Sequence, residues 1–240
     1  HFRRKVEGGI LLYGPPGTGK TMIAKAIATE IDAEFYSVRC SDIVGKYFGE
    51  AEKNIRRLFD TARKSKSSII FFDEFEALAI KRGGHSTVMN RLVPELLSQM
   101  DGFCGTEENH LLILAATNRP WDIDSAFLRP PRLTQKIYVG LPDYEARHYL
   151  AEKAFLSVPC QVENISDLIA KATQGCNAAD VAAVCGSIKD NAIRYAIENG
   201  QSGGMIRAED VETALQNYHS SVQQSDLDQI RHWEKLQGNG

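Results

Sequence analysis

Apolar residues over the first 140 positions fall into short unbroken runs, separated by longer stretches in which they recur at helical spacing. Gly9-Ile10-Leu11-Leu12-Tyr13 is the first run. Its lack of alternation predicts a strand covered on both faces. The turn residues Gly14-Pro15-Pro16-Gly17 end it, and a helix is expected from about Gly19, with Ile23, Ala26, Ile27 and Ile31 on one face. Residues 34–39 form a second strand candidate. From Glu50 a helix shows Ile55, Leu58, Phe59 and Ala62 at offsets of three, four and seven. Residues 68–73 are apolar almost throughout, and 111–117 and 136–139 bring the strands to five. A helix over 88–100 carries Val88, Leu92, Leu96 and Met100 in one stripe, but Pro94 lacks a donor and crowds the preceding turn, which predicts a kink or a restart. Residues 80–87, with Gly83-Gly84, and the polar, acidic stretch 103–110 read as loops. Strands that alternate with helices specify an α/β fold: a parallel five-stranded sheet with helices on both faces.

After Leu141-Pro142-Asp143 the pattern changes. From Tyr144 onward the segments are helical, with Ala-rich stretches around Ala170, Ala182 and Ala192, and no convincing strand follows. Two domains are expected, an α/β domain over 1–141 and a small all-helical lid over 142–240. Residues 200–204 read as a flexible connection. A chain of 240 residues has room for one large or two unequal domains.

Composition narrows the classes. Apolar residues make up 43% and charged residues 25%, ordinary for a soluble globular protein, and the formal net charge of -3 offers no general attraction to polyphosphate backbones. No nucleic-acid partner is expected. Cys40, Cys104, Cys160, Cys176 and Cys185 are odd in number, irregular in spacing and free of CxxC pairs, which favours reduced thiols in a reducing compartment. No apolar run approaches the ~18 residues of a membrane span and no signal peptide is evident, so a cytoplasmic (or, in a eukaryote, nuclear) location is expected. The start at His1, without an initiator Met, reads as an excised fragment.

Chemistry concentrates after the first strand. Gly14-Pro15-Pro16-Gly17-Thr18-Gly19-Lys20-Thr21 fits GxxxxGK[ST] between an apolar strand and an amphipathic helix. The glycines let successive backbone N–H groups point at phosphate oxygens, and the helix N-terminus adds a positive dipole end. Lys20 supplies charge to the β- and γ-phosphates of ATP or ADP, and Thr21 a hydroxyl to Mg²⁺. The strand over 68–73 ends in Asp73-Glu74. Asp73 is placed to orient Mg²⁺ and Glu74 to polarise an attacking water, a general-base contribution of ~10²–10⁴-fold. The separation from Lys20 fits strands one apart in such a sheet.

These two motifs, with Ala116-Thr117-Asn118-Arg119-Pro120, resemble the AAA family in its narrow sense, over essentially the whole chain, and closest in pattern to its valosin-containing-protein and spastin–katanin branches. Asn118, a polar side chain ending a buried strand at the ligand-binding edge, takes by this resemblance the role of γ-phosphate sensor. In Leu128-Arg129-Pro130-Pro131-Arg132-Leu133, Arg129 and Arg132 match the two arginines that reach a neighbouring subunit's ATP, where such a finger gives roughly 10³–10⁵ in rate. Pro131, Leu133 and Thr134 depart from the family pattern here. Lys46, Tyr47 and Phe48 resemble the first pore loop, with Tyr47 gripping an extended peptide, although Tyr47 and Phe48 also fit simple packing. Gly83-Gly84-His85 matches the second pore loop in position, and Asp101-Gly102-Phe103 a subunit-signalling motif. Gly175-Cys176-Asn177-Ala178-Ala179-Asp180 is similar to a helix-opening motif near the adenine and ribose, with Ala178 where the family has glycine, and Asn177 is a competent N-cap. Trp233, in a tail like the C-terminal helices of those branches, fits either a family-specific contact or a packing anchor.

The resemblance implies a Mg²⁺-dependent ATPase that acts as a homo-oligomer, a hexameric ring, and unfolds, translocates or disassembles protein substrates. Members of the family carry an upstream segment lining the adenine pocket and an N-terminal substrate-selecting domain, and this chain begins after both. Alternatives are the ATPase portion of a membrane-anchored AAA metalloprotease, which needs a HExxH motif that these residues lack, a low-activity nucleotide-dependent scaffold, and a nucleic-acid remodeller.

Overall fold

The computed structural model of the protein describes residues 8–44, 50–79, 89–101, 110–201 and 203–237. These form two compact units that interleave in sequence: one drawn from His1–Gly14, Lys20–Val139 and Asp228–Gly240, the other from Pro15–Gly19 and Gly140–Leu227. The sequence placed a single division between 141 and 142.

In the first unit the strands are β1 (Gly9–Tyr13), β2 (Glu34–Arg39), β3 (Ser67–Asp73), β4 (His110–Thr117) and β5 (Leu133–Tyr138). They form one parallel sheet in the order β2-β3-β4-β1-β5. The helices are α1 (Lys20–Glu30), α2 (Cys40–Val44), α3 (Glu50–Ala62) and α4 (Met89–Asp101). The absence of alternation in β3 follows from burial on both sides. Ile69 and Phe71 pack with Ala24 and Ala28 of α1, while Ile70 and Phe72 pack with Ile55 and Phe59 of α3 and with Leu92 and Leu96 of α4. The two clusters are the two faces of the sheet, as the α/β reading requires.

Two expectations about elements change. β5 begins at Leu133, not 136, because fully buried Leu133 pairs with Gly9 across a register shift, while polar Thr134 and Gln135 hide that start from a hydropathy reading. α4 runs through Pro94 as one helix with no restart. Pro94 lies inside the helix and forgoes a bond to the carbonyl four residues back. Leu92, Val93, Leu96, Leu97 and Met100 are buried on both sides of it and keep the helix continuous.

The chain ends in this unit as well. From Asp228 onward, α9 (Gln224–Leu236) sets Ile230 and Trp233, both buried, against Tyr13, Trp121 and Leu128. The Trp233 ring meets Tyr13 edge-on at 5.0 Å between centroids, and the Tyr13 hydroxyl donates to Glu234 Oε1 at 2.8 Å. Trp233 is therefore a packing anchor.

The second unit is helical: α5 (Tyr144–Phe155), α6 (Ile165–Ala172), α7 (Ala178–Glu198), α8 (Ala208–Gln216) and the first residues of α9. Asp143 caps α5 by accepting from Ala146 N at 2.8 Å. The core holds Ala151, Phe155, Ile169, Val181, Val184, Ile188 and Val211. An isolated bridge between Cys160 and Ile206 is the one β-type pairing among this unit's described residues. Cys40, Cys160, Cys176 and Cys185 are free thiols. Among the described residues, no helix is long and apolar enough to cross a membrane.

Replacing Trp233 by Ala empties an aromatic-lined site and should destabilise the α/β unit by about 3–5 kcal/mol, read as a lower denaturant midpoint. A loss below about 0.5 kcal/mol, the range of an ordinary surface substitution, would mean that α9 contributes nothing to holding this unit.

Candidate active site

Strand order fixes where the site lies. β1 and β4 are neighbours, yet the chain leaves β1 toward β2 on one side and leaves β4 toward β5 on the other. Such a reversal opens a crevice at the carboxyl ends of the strands. Tyr13 pairs with Thr117, and Phe72 with Ala115. The register therefore carries Gly14, Asp73 and Asn118 to the same edge.

At Gly14 the backbone turns with φ 153°, and a Cβ there would lie 2.1 Å from the Val139 carbonyl oxygen. Only glycine fits. Lys20, the first residue of α1, reaches back to donate to the Gly14 carbonyl at 3.0 Å and is 7% exposed. Burial pulls its pKa down to about 8, against the opposing charges of Glu76 and Asp73. A cation in so little water gains much from an arriving anion. Glu76 itself keeps a buried oxygen, Oε2, without a hydrogen-bond partner.

The Thr21 hydroxyl donates to Asp73 Oδ2 at 2.9 Å. Two hard oxygens brought together from α1 and the end of β3 match the donor set of Mg²⁺, which keeps several waters and takes one or two protein ligands beside phosphate oxygens. The other Asp73 oxygen accepts from Glu74 N at 3.0 Å. Glu74 is exposed and adopts φ 55°, ψ 46°, in the left-handed region. That is uncommon for a residue with a Cβ and costs about 1–2 kcal/mol. Asn118, half-buried, follows Thr117, whose hydroxyl accepts from Arg119 N at 3.0 Å.

The two arginines are in different situations. Arg129 is exposed. Arg132 forks onto Asp101, with both contacts at 2.7 Å, and donates a third bond to the Ala126 carbonyl at 2.6 Å. The guanidinium holds the Asp101 carboxyl below its usual range. In this conformation the guanidinium of Arg132, expected to serve a neighbour, braces its own loop against the end of α4. The intervening Pro130–Pro131 bond is cis.

The remaining candidates lie elsewhere. Pro15, Pro16, Gly17, Thr18 and Gly19 belong to the helical unit. There the Thr18 hydroxyl donates to the Pro15 carbonyl at 3.0 Å, and Gly17 has φ 73°. Asn177 opens α7 with a capping box shared with Asp180, and half-buried Ala178 is the first helical residue. Ala179, not singled out by the sequence, supplies an N–H to the Gly17 carbonyl at 3.1 Å. Lys46, Tyr47, Phe48, the Gly83-Gly84-His85 loop, and Gly102 and Phe103 fall outside the described residues.

Comparison with known proteins agrees with this geometry. The family model described as "ATPase family associated with various cellular activities (AAA)" matches residues 10–141. The chain is 41% identical over 199 residues to a putative cell division cycle ATPase of Plasmodium falciparum (isolate 3D7), covering 82% of this chain and 16% of that protein. It is 42% identical over 200 residues to a cell division cycle protein 48 homolog of Archaeoglobus fulgidus, covering 82% of this chain and 27% of the relative. The chain thus spans only a minor part of the curated relatives it matches.

Arg132→Ala should cost about 1–2 kcal/mol, chiefly through the Ala126 carbonyl left without its donor, since Asp101 is half-exposed and its ion pair is screened. Arg129→Ala should change stability by less than about 0.5 kcal/mol. Urea titration of the two variants checks this, and equal losses would remove the bracing role of Arg132.

Proposed function

Because this chain belongs to the AAA family of ATPases, related to its valosin-containing-protein branch, we propose that it works as a subunit of a homo-oligomeric ring, hexameric in number, that spends ATP on unfolding, translocating or disassembling protein substrates. The observation that carries the catalytic part is the Thr21–Asp73 contact of 2.9 Å with buried Lys20 beside it in sequence.

The roles follow from the residues. Backbone N–H groups of the turn from Gly14 to Gly19 cradle the phosphates, and Lys20 Nζ exchanges the Gly14 carbonyl for β- and γ-phosphate oxygens. Thr21 and Asp73 would hold Mg²⁺, which would supply neutralisation of phosphate charge. Glu74 accepts a proton from the attacking water. Glu74 is exposed, which leaves its carboxylate open to the water it would activate. Asn118 orients that water from the end of β4. Arg129, exposed and uncommitted to the fold, is the residue a neighbour's γ-phosphate would meet first. Arg132 joins it when its bonds to Asp101 and Ala126 are exchanged. Ala178 is assigned to the base and sugar by the family resemblance of its motif. Lys46, Tyr47 and Phe48 act as the substrate-gripping loop. The site of action is a reducing compartment, the cytoplasm or nucleus, with no nucleic acid as substrate.

Two measurements test this. Glu74→Gln should bind ATP as tightly as the parent yet lose ~10²–10⁴-fold in turnover. Turnover within a factor of two of the parent would end the general-base role. Specific ATPase activity with Mg²⁺ should climb with protein concentration as shared sites assemble. A flat, substantial rate would place the complete site in one chain and retire the role of Arg129 and Arg132 at a neighbour.

A further inference from the structure

Within the helical unit, the middle of the glycine-rich turn is held by a polar cluster that the phosphate chemistry does not use. A Cβ on Gly17 would lie 2.7 Å from both Cγ and Nδ2 of Asn177, so the Asn177 amide lies directly against that glycine. Asn177 is 2% exposed and bonded at both ends of its amide. Its Oδ1 accepts from Asp180 N at 2.7 Å, its backbone N donates to Asp180 Oδ2 at 3.3 Å, and its Nδ2 donates to Ser221 Oγ at 3.0 Å. The Ser221 hydroxyl donates in turn to Asp180 Oδ1 at 2.7 Å, with Ser221 N and Ser220 Oγ reaching Oδ2 at 3.2 and 3.3 Å.

An ordinary N-cap needs only the exchange between Asn177 and Asp180. Here the same carboxylate, 6% exposed, also receives three donors from a segment about forty positions further along the chain. Ser221 uses its one proton on Asp180 and a lone pair on Asn177, so both ends of the amide are specified and its flip is excluded. Burial opposes ionisation of Asp180, but the hydrogen bonds from Ser221 and from the backbone prevail and hold the carboxyl below its usual range.

We propose that Asp180 and Ser221 are positioning residues for nucleotide binding: they fix the Asn177 amide against Gly17 and keep the Ala179 N–H on the Gly17 carbonyl, and so set the shape of the turn Pro15–Gly19 before phosphate arrives. The proposal rests on the reading of that turn as a phosphate cradle. Preorganised backbone donors bind an anion without first giving up conformational freedom, so loosening the clasp weakens affinity without removing any phosphate contact.

The test uses the full chain and ADP, which binds without turning over. Asp180→Asn and Ser221→Ala should each weaken ADP binding by about tenfold, the scale of one or two lost cap bonds, and should speed hydrogen exchange of amides 17–19. Ser221→Thr, which keeps the hydroxyl, should bind ADP as the parent does. Ser221→Asp, which sets a second negative charge on Asp180, should bind more weakly than Ser221→Ala. Ser221 is exposed, so its variants fold even if Asp180→Asn does not. Lys20→Ala separates the two ideas. If it abolishes ADP binding while Ser221→Ala only lowers the melting midpoint and leaves ADP affinity unchanged, the cluster is a helix cap and the proposal falls alone. If Lys20→Ala binds ADP like the parent, the phosphate-cradle reading falls and takes the proposal with it.

Discussion

β1 is bonded along both edges, to β4 and to β5, and is covered by packed side chains on both faces. A strand held from four directions cannot slide, and its last residue, Tyr13, is pinned again by Val139 N, by Trp233 and by Glu234. Gly14, the next residue, accepts from the Lys20 ammonium through its carbonyl, so the immobilised end of β1 also bears on the first residue of α1. The sheet thus converts a nonspecific quantity, apolar burial, into the specific placement of a few polar atoms.

Those polar atoms are held at some cost. An ammonium at 7% exposure has lost most of its water, and the carbonyl of Gly14 and the charges of Glu76 and Asp73 act on it in that water's place. The Thr21 hydroxyl donates to the Asp73 carboxylate, which ties the first turn of α1 to the end of β3.

How much of this the sequence disclosed depended on distance along the chain. β3 was plain because burial on both faces leaves an unbroken apolar run, and the lysine and the acid pair were plain because each sits within a contiguous motif. The start of β5 at Leu133 was hidden because Thr134 and Gln135 carry no hydrophobic signal, although register makes them strand. Of the kink or restart that Pro94 implied, the restart does not occur, because the burial of Leu92 and Leu96 holds the helix together across it. Arg132 was legible as a cation but not as a brace, since Asp101 lies thirty-one residues away. Asn177 read as a cap, yet nothing local could show that its amide lies against Gly17, which is 160 positions earlier.

Glu74 shows what a site of this kind asks of its backbone. The glutamate occupies a left-handed conformation that glycine would adopt freely. In the proposed role of Glu74 as general base, the fold carries that strain for one carboxylate, and function and folding then pull this position in opposite directions. A population of sequences drifting under selection for persistence alone would drain toward glycine at 74 and arrive at quiet, well-folded descendants that hold nucleotide and do nothing with it. In the proposed mechanism, glutamate rather than glycine at 74 is what separates turnover from mere retention of nucleotide.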